Sequence, residues 1–275
     1  MGKFIKLTKI HTKMYYEYIE KHFYDNLYLA LDFSRDFNES KYTKKAGDFY
    51  GYIKGDKLLG VFVFSNNNIL HLSFIDRDVL KKVDLLRAIK YYKPKIIKGK
   101  KENLDDVINL VEKSITQIKV NDYYIMKYNN HECDNHSSDF INSELINSSF
   151  EFLVNVEKEF DRNPKLLNDI KLKILTKYES NEYFAYTREG RIIAQGMLEN
   201  EGNKHIIIGG IYIDKNFRKK GYGQQIVEIL VSEVIRKNKM PILLVKKDNQ
   251  KAINLYNKIG FIEMSDFRII ELIIA

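Results

Sequence analysis

The spacing of apolar residues changes period several times along the chain, and each change marks an element. Ile206 to Ile213 is a β-branched run that reads as a strand, and an amphipathic helix pattern begins near Gln224. After Pro241, the short apolar run Ile242 to Val245 reads as a buried strand. Asp248 and Asn249 then supply a helix N-terminus. Ala252, Ile253, Leu255 and Tyr256 carry that helix to Gly260-Phe261, with Gly260 as the residue that ends it. Upstream, Phe150, Leu153, Val154, Val156 and Phe160 keep helical spacing, and a further helix is predicted after Pro164, over Leu166 to Leu175.

Two segments carry a hairpin signal, and they resemble each other. Tyr52-Ile53-Lys54-Gly55-Asp56-Lys57-Leu58-Leu59-Gly60 runs parallel to Tyr186-Thr187-Arg188-Glu189-Gly190-Arg191-Ile192-Ile193-Ala194. Further on, Ile75 to Val83 lines up with Ile213 to Gly221, and Ile108-Asn109-Leu110 with Ile253-Asn254-Leu255. Three correspondences in one order predict a duplication. The copies differ where chemistry would sit. Arg218, Gly221 and Gly223 of the second face Leu80, Val83 and Leu85 of the first, and opposite Tyr256 lies Leu110 or Val111. The expected organisation is a first domain over 1–128 without a cofactor site, a linker over 129–140 and a second domain over 141–275. The linker is polar, and its His131, Cys133 and His136 do not match a common zinc spacing, so no metal is expected there.

Composition narrows the class. The chain has 275 residues, 44% hydrophobic and 13% aromatic, enough for one large core or two ordinary ones. Lys3, Lys6, Lys9 and Lys13 interrupt the opening, which therefore lacks the apolar core of a secretory signal. No apolar run is long enough to span a bilayer. A single cysteine forms no intramolecular disulfide. These features lead us to expect a soluble cytoplasmic protein with no membrane partner. The net charge is +8, and Lys90, Lys93, Lys95, Lys98, Lys100 and Lys101 are interleaved with Tyr91 and Tyr92. That run reads either as a solvated surface or as a patch for nucleic acid or another polyanion. We expect the former, with no nucleic-acid partner.

The candidate chemistry lies between the Ile206–Ile213 strand and the following helix, in Arg218-Lys219-Lys220-Gly221-Tyr222-Gly223. A strand leading through a glycine-punctuated turn into a helix leaves N–H groups at the positive end of the helix dipole. Such a corner accepts phosphate or diphosphate. Gly221 and Gly223 are expected to reach positive φ and to admit the ligand closely. Basic glycine turns are common, but here a second motif follows about 30 residues on. The order is strand, Arg218-x-x-Gly221-x-Gly223 loop, helix, strand, then Asn249-x-x-Ala252-x-x-x-Tyr256-x-x-x-Gly260-Phe261. From about Glu182 to Phe261 this resembles the GNAT superfamily of N-acetyltransferases. Gly209-Gly210-Ile211-Tyr212 looks most like the glycine N-acyltransferase-like branch.

The resemblance implies an α/β (α+β) fold of tandem GNAT-like domains, each a mixed, mostly antiparallel twisted sheet flanked by helices. It implies acetyl-CoA as cosubstrate and an amine as acceptor, either a small molecule, an amino acid or a peptide. Arg218, Lys219, Lys220, Gly221, Tyr222, Gly223 and Gln224 would hold the diphosphate, with Gln224 donating its N–H. The backbone of Ile211, Tyr212 and Ile213 would pair with the pantetheine arm, and Asn249 would bond the cofactor. Tyr256 would give a proton to the leaving thiolate, since a phenol of pKa about 10 is protonated at neutral pH. The residues alone leave other roles open: a core aromatic for Tyr256, an N-cap for Asn249, and either a bulge or close packing for Gly209-Gly210. Glu199 and His205 are weak candidates for the general base, which the sequence does not settle. The expected function is therefore acyl transfer, most simply acetyl transfer, from coenzyme A to an amine. The alternative is a non-catalytic module that senses coenzyme A or binds nucleic acid.

Overall fold

The computed structural model describes residues 2–29, 47–111, 117–130, 152, 167–202 and 204–273. The strands are β1 (Lys3–Lys6), β2 (Gly47–Lys54), β3 (Lys57–Ser65), β4 (Ile69–Phe74), β5 (Ile96–Lys100), β6 (Gln117–Tyr128), β7 (Tyr183–Arg188), β8 (Arg191–Glu201), β9 (His205–Ile213), β10 (Met240–Lys246) and β11 (Phe261–Ile273). The helices are α1 (Thr12–Lys21), α2 (Asp78–Lys82), α3 (Leu85–Tyr92), α4 (Lys101–Val111), α5 (Leu167–Glu179), α6 (Tyr222–Arg236) and α7 (Gln250–Ile259). The helix expected after Pro164 is present as α5. The linker residues His131, Cys133 and His136 lie outside the described residues, as does all but Phe152 of the helix expected over Phe150 to Phe160. Among the described residues, no helix is long and apolar enough to cross a membrane.

The chain forms two compact units that interleave along the sequence. The first takes residues 1–125, 245–248 and 264–275, and the second takes 126–244 and 249–263. In the first, β1 to β4 form an antiparallel run, β5 lies parallel to β4, and the 264–273 part of β11 lies antiparallel to β5. Alternation along β3 explains how this sheet is covered on both faces. Val61 and Val63 pack with Tyr15, Tyr18 and Ile19 of α1, whereas Phe62 and Phe64 pack with Leu72, Leu85, Ile89 and Leu104 on the other side.

In the second unit, β7 and β8 form a hairpin, β9 is antiparallel to β8, and β10 is parallel to β9. Helix α6 connects β9 to β10 and buries Ile226, Val227, Leu230, Val231 and Val234 at helical spacing. A parallel pair needs a long crossover of this kind, whereas a hairpin does not.

The internal likeness read from the sequence has a geometric counterpart. Both hairpins close through two-residue turns. Gly55 alone is at positive φ in the first (+59°), and both Glu189 (+52°) and Gly190 (+71°) are in the second. These are the sign patterns of the II′ and I′ hairpin turns. Both ladders slip by one residue at the same place, between Tyr52 and Ile53 and between Tyr186 and Thr187. Beyond β4, the Asp76 carboxylate accepts from the Asp78 N–H at 2.9 Å; beyond β9, that of Asp214 accepts from the Asn216 N–H at 2.8 Å.

Arg268 on β11 is a buried charge of the first unit, at 8% exposure. Its Nε and Nη2 donate to the two carboxylate oxygens of Asp122 at 2.6 and 2.9 Å, and Nη1 donates to Asp105. The bond from Arg268 holds the Asp122 carboxyl below its usual pKa. Its stabilisation is therefore present above the ordinary aspartate pKa and is lost as pH falls through the lowered value. Arg268→Met is expected to cost about 2 kcal/mol at pH 7, because Asp122 loses its bidentate partner while Asp105 keeps its pair with Lys101 and the surrounding packing survives. Urea titrations at pH 7 and pH 3 check this; the difference between wild type and variant should shrink at the lower pH.

Candidate functional site

Strand β9 leaves its parallel partner early. Pairing with β10 covers Met240↔His205, Pro241↔Ile206 and Ile242↔Ile207, while on its other edge β9 stays paired with β8 as far as Ile213. The backbone from Ile208 to Ile213 therefore lies beyond the registered part of the parallel pair. Ile211, Tyr212 and Ile213 occupy this stretch.

A local distortion sits at its start. Gly210 has φ +60°, and the β8–β9 register shifts twice nearby. The buried carboxamide of Gln195 donates to the Gly210 carbonyl at 3.2 Å and accepts from the Tyr183 hydroxyl at 2.9 Å. The glycine pair also makes room for side chains from β8. A Cβ on Gly209 would lie 2.8 Å from Glu199 Cγ, and one on Gly210 would lie 2.6 Å from Met197 Cε. Bulge and close packing therefore both apply.

After β9, the Asp214 cap starts a short 3-10 turn over Lys215–Phe217, and the basic loop follows. Gly221, at φ +87°, is the N-cap of α6, and nothing lies within 4 Å of where its Cβ would be. Gly223 differs from expectation. It lies inside the first turn of α6 without positive φ, and a Cβ there would sit at ordinary contact distance, 3.4 Å from Leu255. The second left-handed residue of the loop is Lys219, at φ +61°. The Gln224 N–H is also engaged differently. It donates to the Gly221 carbonyl at 3.0 Å, so the N–H groups that precede the first helical bonds are those of Tyr222 and Gly223.

Arg218 turns back toward the strand. Its Nε donates to the Ile213 carbonyl at 3.0 Å, and its guanidinium lies 5.4 Å from the centre of the Tyr212 ring. Lys219 and Lys220 are exposed, and the first turn of α6 carries no acidic residue. The field at this corner is positive, as an anion site requires.

The second motif reaches the same place. Asn249 caps α7, its Oδ1 accepting from the Ala252 N–H at 3.2 Å. Leu255 of α7 lies against Gly223, and Lys258 Nζ donates to Gln224 Oε1 at 3.1 Å. Tyr256, next to Leu255, is buried and packs 5.9 Å from the Phe261 ring. Burial pushes its phenol up to about 12. Gly260 ends the helix at φ +110°, where a Cβ would collide with the Asn130 carboxamide.

The two base candidates part company. His205 begins β9, opposite Met240. Six residues of strand separate it from Ile211, about 20 Å at the usual rise. Its imidazole is buried and lowered to about 4 by desolvation. Glu199 lies over Gly209 and Gly210 and is paired with Lys173 of α5. Lys173 and the Gln195–Tyr183 pair were not singled out from the sequence, since each acquires a role only through contacts between separate elements.

Several solved structures share the fold over nearly the whole chain. A Drosophila protein superposes with a TM-score of 0.67 at 13% identity, covering 98% of both chains. A GCN5-related N-acetyltransferase from Sphaerobacter thermophilus gives 0.64 at 11% identity, over 100% of this chain and 96% of its own. A tandem GNAT protein from the clavulanic acid biosynthesis pathway gives 0.54 at 9% identity, over 99% and 98%. No curated protein sequence matches. Residues 144–261, less than half of the chain but including the basic loop, Asn249 and Tyr256, match the model of the acetyltransferase (GNAT) family, and the architecture is GNAT-like.

Proposed function

We propose that the second unit transfers an acyl group, in the simplest case acetyl, from coenzyme A to a primary amine of a small molecule, amino acid or peptide. The observation that carries this reading is the meeting of three features in one unit. These are the early end of β9–β10 pairing, the α6 N-terminus behind Gly221, and Tyr256 one residue from the Leu255 contact to Gly223. The residues fit the cosubstrate. Space is open at Gly221, Tyr222 and Gly223 offer N–H groups, and Lys219 and Lys220 supply charge for a diphosphate. Ile211, Tyr212 and Ile213 would carry the pantetheine arm on the edge of β9. Arg218 would act first on the strand end, through Ile213, and Gln224 would brace the start of α6, its N–H spent on Gly221 and its side chain on Glu228 and Lys258. Acyl transfer forms an amide bond and breaks a thioester bond. Tyr256 would donate its phenolic proton to the departing thiolate sulfur, while the proton lost by the attacking amine leaves through a separate base. Gly209-Gly210-Ile211-Tyr212 supports the glycine N-acyltransferase-like branch in particular.

In this reading the first unit is a divergent copy that no longer takes coenzyme A. Support comes from Asn103 on α4. Its carboxamide accepts from the Phe74 N–H at 3.2 Å and donates to the Phe74 carbonyl at 2.9 Å, so the end of β4 is bonded by the chain itself. Val83 and Leu85 replace the glycines and Leu80 replaces Arg218, although Lys81-Lys82 align with Lys219-Lys220.

Two measurements test the assignment. Calorimetric titration with acetyl-CoA should show one site per chain. Gly221→Glu should weaken it by at least about 10-fold, or about 1.4 kcal/mol, by placing a carboxylate beside the diphosphate. An unchanged affinity removes the loop from the site. Free-thiol release with a panel of amines should then show turnover, and Tyr256→Phe should lower kcat by about 100-fold with little change in cosubstrate affinity. Because the phenol is raised to about 12, it stays protonated below that value, and kcat should show no tyrosine-dependent decline up to about pH 11. Binding without turnover for any amine would favour a coenzyme A sensor.

A further inference from the structure

The first unit contains a polar cavity of about 280 Å³ that the acyl-transfer reading leaves unused. It opens at the carboxyl ends of β4 and β5, where the registered parallel pairing stops at His71↔Lys98. Ligands of open α/β sheets bind at that end of parallel strands, in the crevice where connections leave in different directions. Three such connections form the walls here: the segment after α1, the turn after β4, and the first turns of α4. The floor is built from buried polar groups. Ser73 Oγ is bonded to the Tyr18 hydroxyl at 2.9 Å, and Asn103 is fixed to Phe74 as described.

The charge of the lining selects the ligand. Four carboxylates, Asp25, Asp76, Glu102 and Asp106, face two cations, Arg77 and Lys100. Both cations already have partners. Lys100 lies 3.5 Å from Asp25 and 3.3 Å from Glu102, and Arg77 lies 3.0 Å from Asp106. Burial lowers the His22 pKa, so that ring adds no compensating charge at neutral pH. Among the described lining residues, two negative charges remain in surplus. Among the described residues, no three acidic, histidine or cysteine side chains converge closely enough to hold a metal ion. An anionic diphosphate would be repelled, and a cavity at the small end of ligand-site volumes suits a short molecule. We propose that this cavity is a binding site for a small organic cation carrying two primary ammonium groups, of the size of a short diamine. The proposal does not depend on acyl transfer by the second unit.

Calorimetry on the full chain tests it, with putrescine as probe and inorganic phosphate as the anionic control. Putrescine should bind once per chain, more weakly at higher salt, and phosphate should give no heat. The double variant Asp76→Asn, Glu102→Gln keeps the acceptor that caps the β4 turn and leaves Lys100 paired with Asp25. It should weaken putrescine binding at least 10-fold with an unchanged melting temperature. Lys100→Gln should act in the opposite sense and tighten binding several-fold, a reversal that loss of packing would not produce. Absence of putrescine heat in wild type, equal affinity in the double variant, or weaker binding in Lys100→Gln would overturn the proposal. So would binding lost with Tyr256→Phe but kept in the double variant, which would place the amine in the second unit.

Discussion

A parallel strand pair that stops pairing before its strands end is the constraint on which the second unit is built. β9 and β10 share register through Ile207 and Ile242 and no further, although β9 continues to Ile213 and β10 to Lys246. Backbone donors and acceptors are too costly to bury unpaired, so such a gap must be closed by the chain, by water or by a ligand. The sequence sets up the departure on the β8 side. Gly210 takes a conformation that side chains resist, and Gln195, itself held by Tyr183, grips its carbonyl. The basic loop and the α6 N-terminus then follow at the open end.

The first unit meets the same geometric problem with different residues. Its β4–β5 pairing also ends after three positions, but Asn103 reaches across and bonds both backbone groups of Phe74. A carboxamide offers one donor and one acceptor, so it stands in for a strand at that one residue. The hairpin slips and the Asp76 and Asp214 turns show how closely the two units share local geometry. The corner after the parallel strands is filled differently. Gly221 and Gly223 occupy it in one unit; Val83, Leu85 and a fixed asparagine occupy it in the other, while a lysine pair, Lys81-Lys82 or Lys219-Lys220, is present in both.

Features set by local rules were legible in the sequence. The two hairpin turns, the Asn249 cap, the Gly260 terminus and the positive φ of Gly221 each follow from a few adjacent residues. Gly223 was misread because its spacing from Gly221 suggested a shared role, whereas the helix begins between them. The sequence could not show that Arg218 bonds Ile213, or that Gln224 spends its N–H on Gly221, because both depend on how tightly the loop folds. His205, a candidate base in the sequence, begins β9 and so lies at the end of the strand away from the loop. Least visible was the contribution of β11 to the first unit. A strand's partner is not encoded locally, and the pairing of β11 with β5 joins segments more than 160 residues apart.

The burial of Tyr256 has opposing consequences for the role proposed for it. Removing the phenol from water raises its pKa to about 12, because the phenolate would lose its hydration. By Brønsted reasoning, a weaker acid gives up its proton less readily. The same apolar seat, against Phe261 and on the inner side of α7, holds the ring in place and limits its exposure to solvent. A thiolate released into such a place is poorly solvated, and desolvation raises its own proton affinity in the same direction. The relevant quantity is the difference between the two affinities, and a shared dry environment shifts both. The raised phenol is therefore compatible with proton donation in a way that a comparison with free tyrosine and free thiol in water would miss.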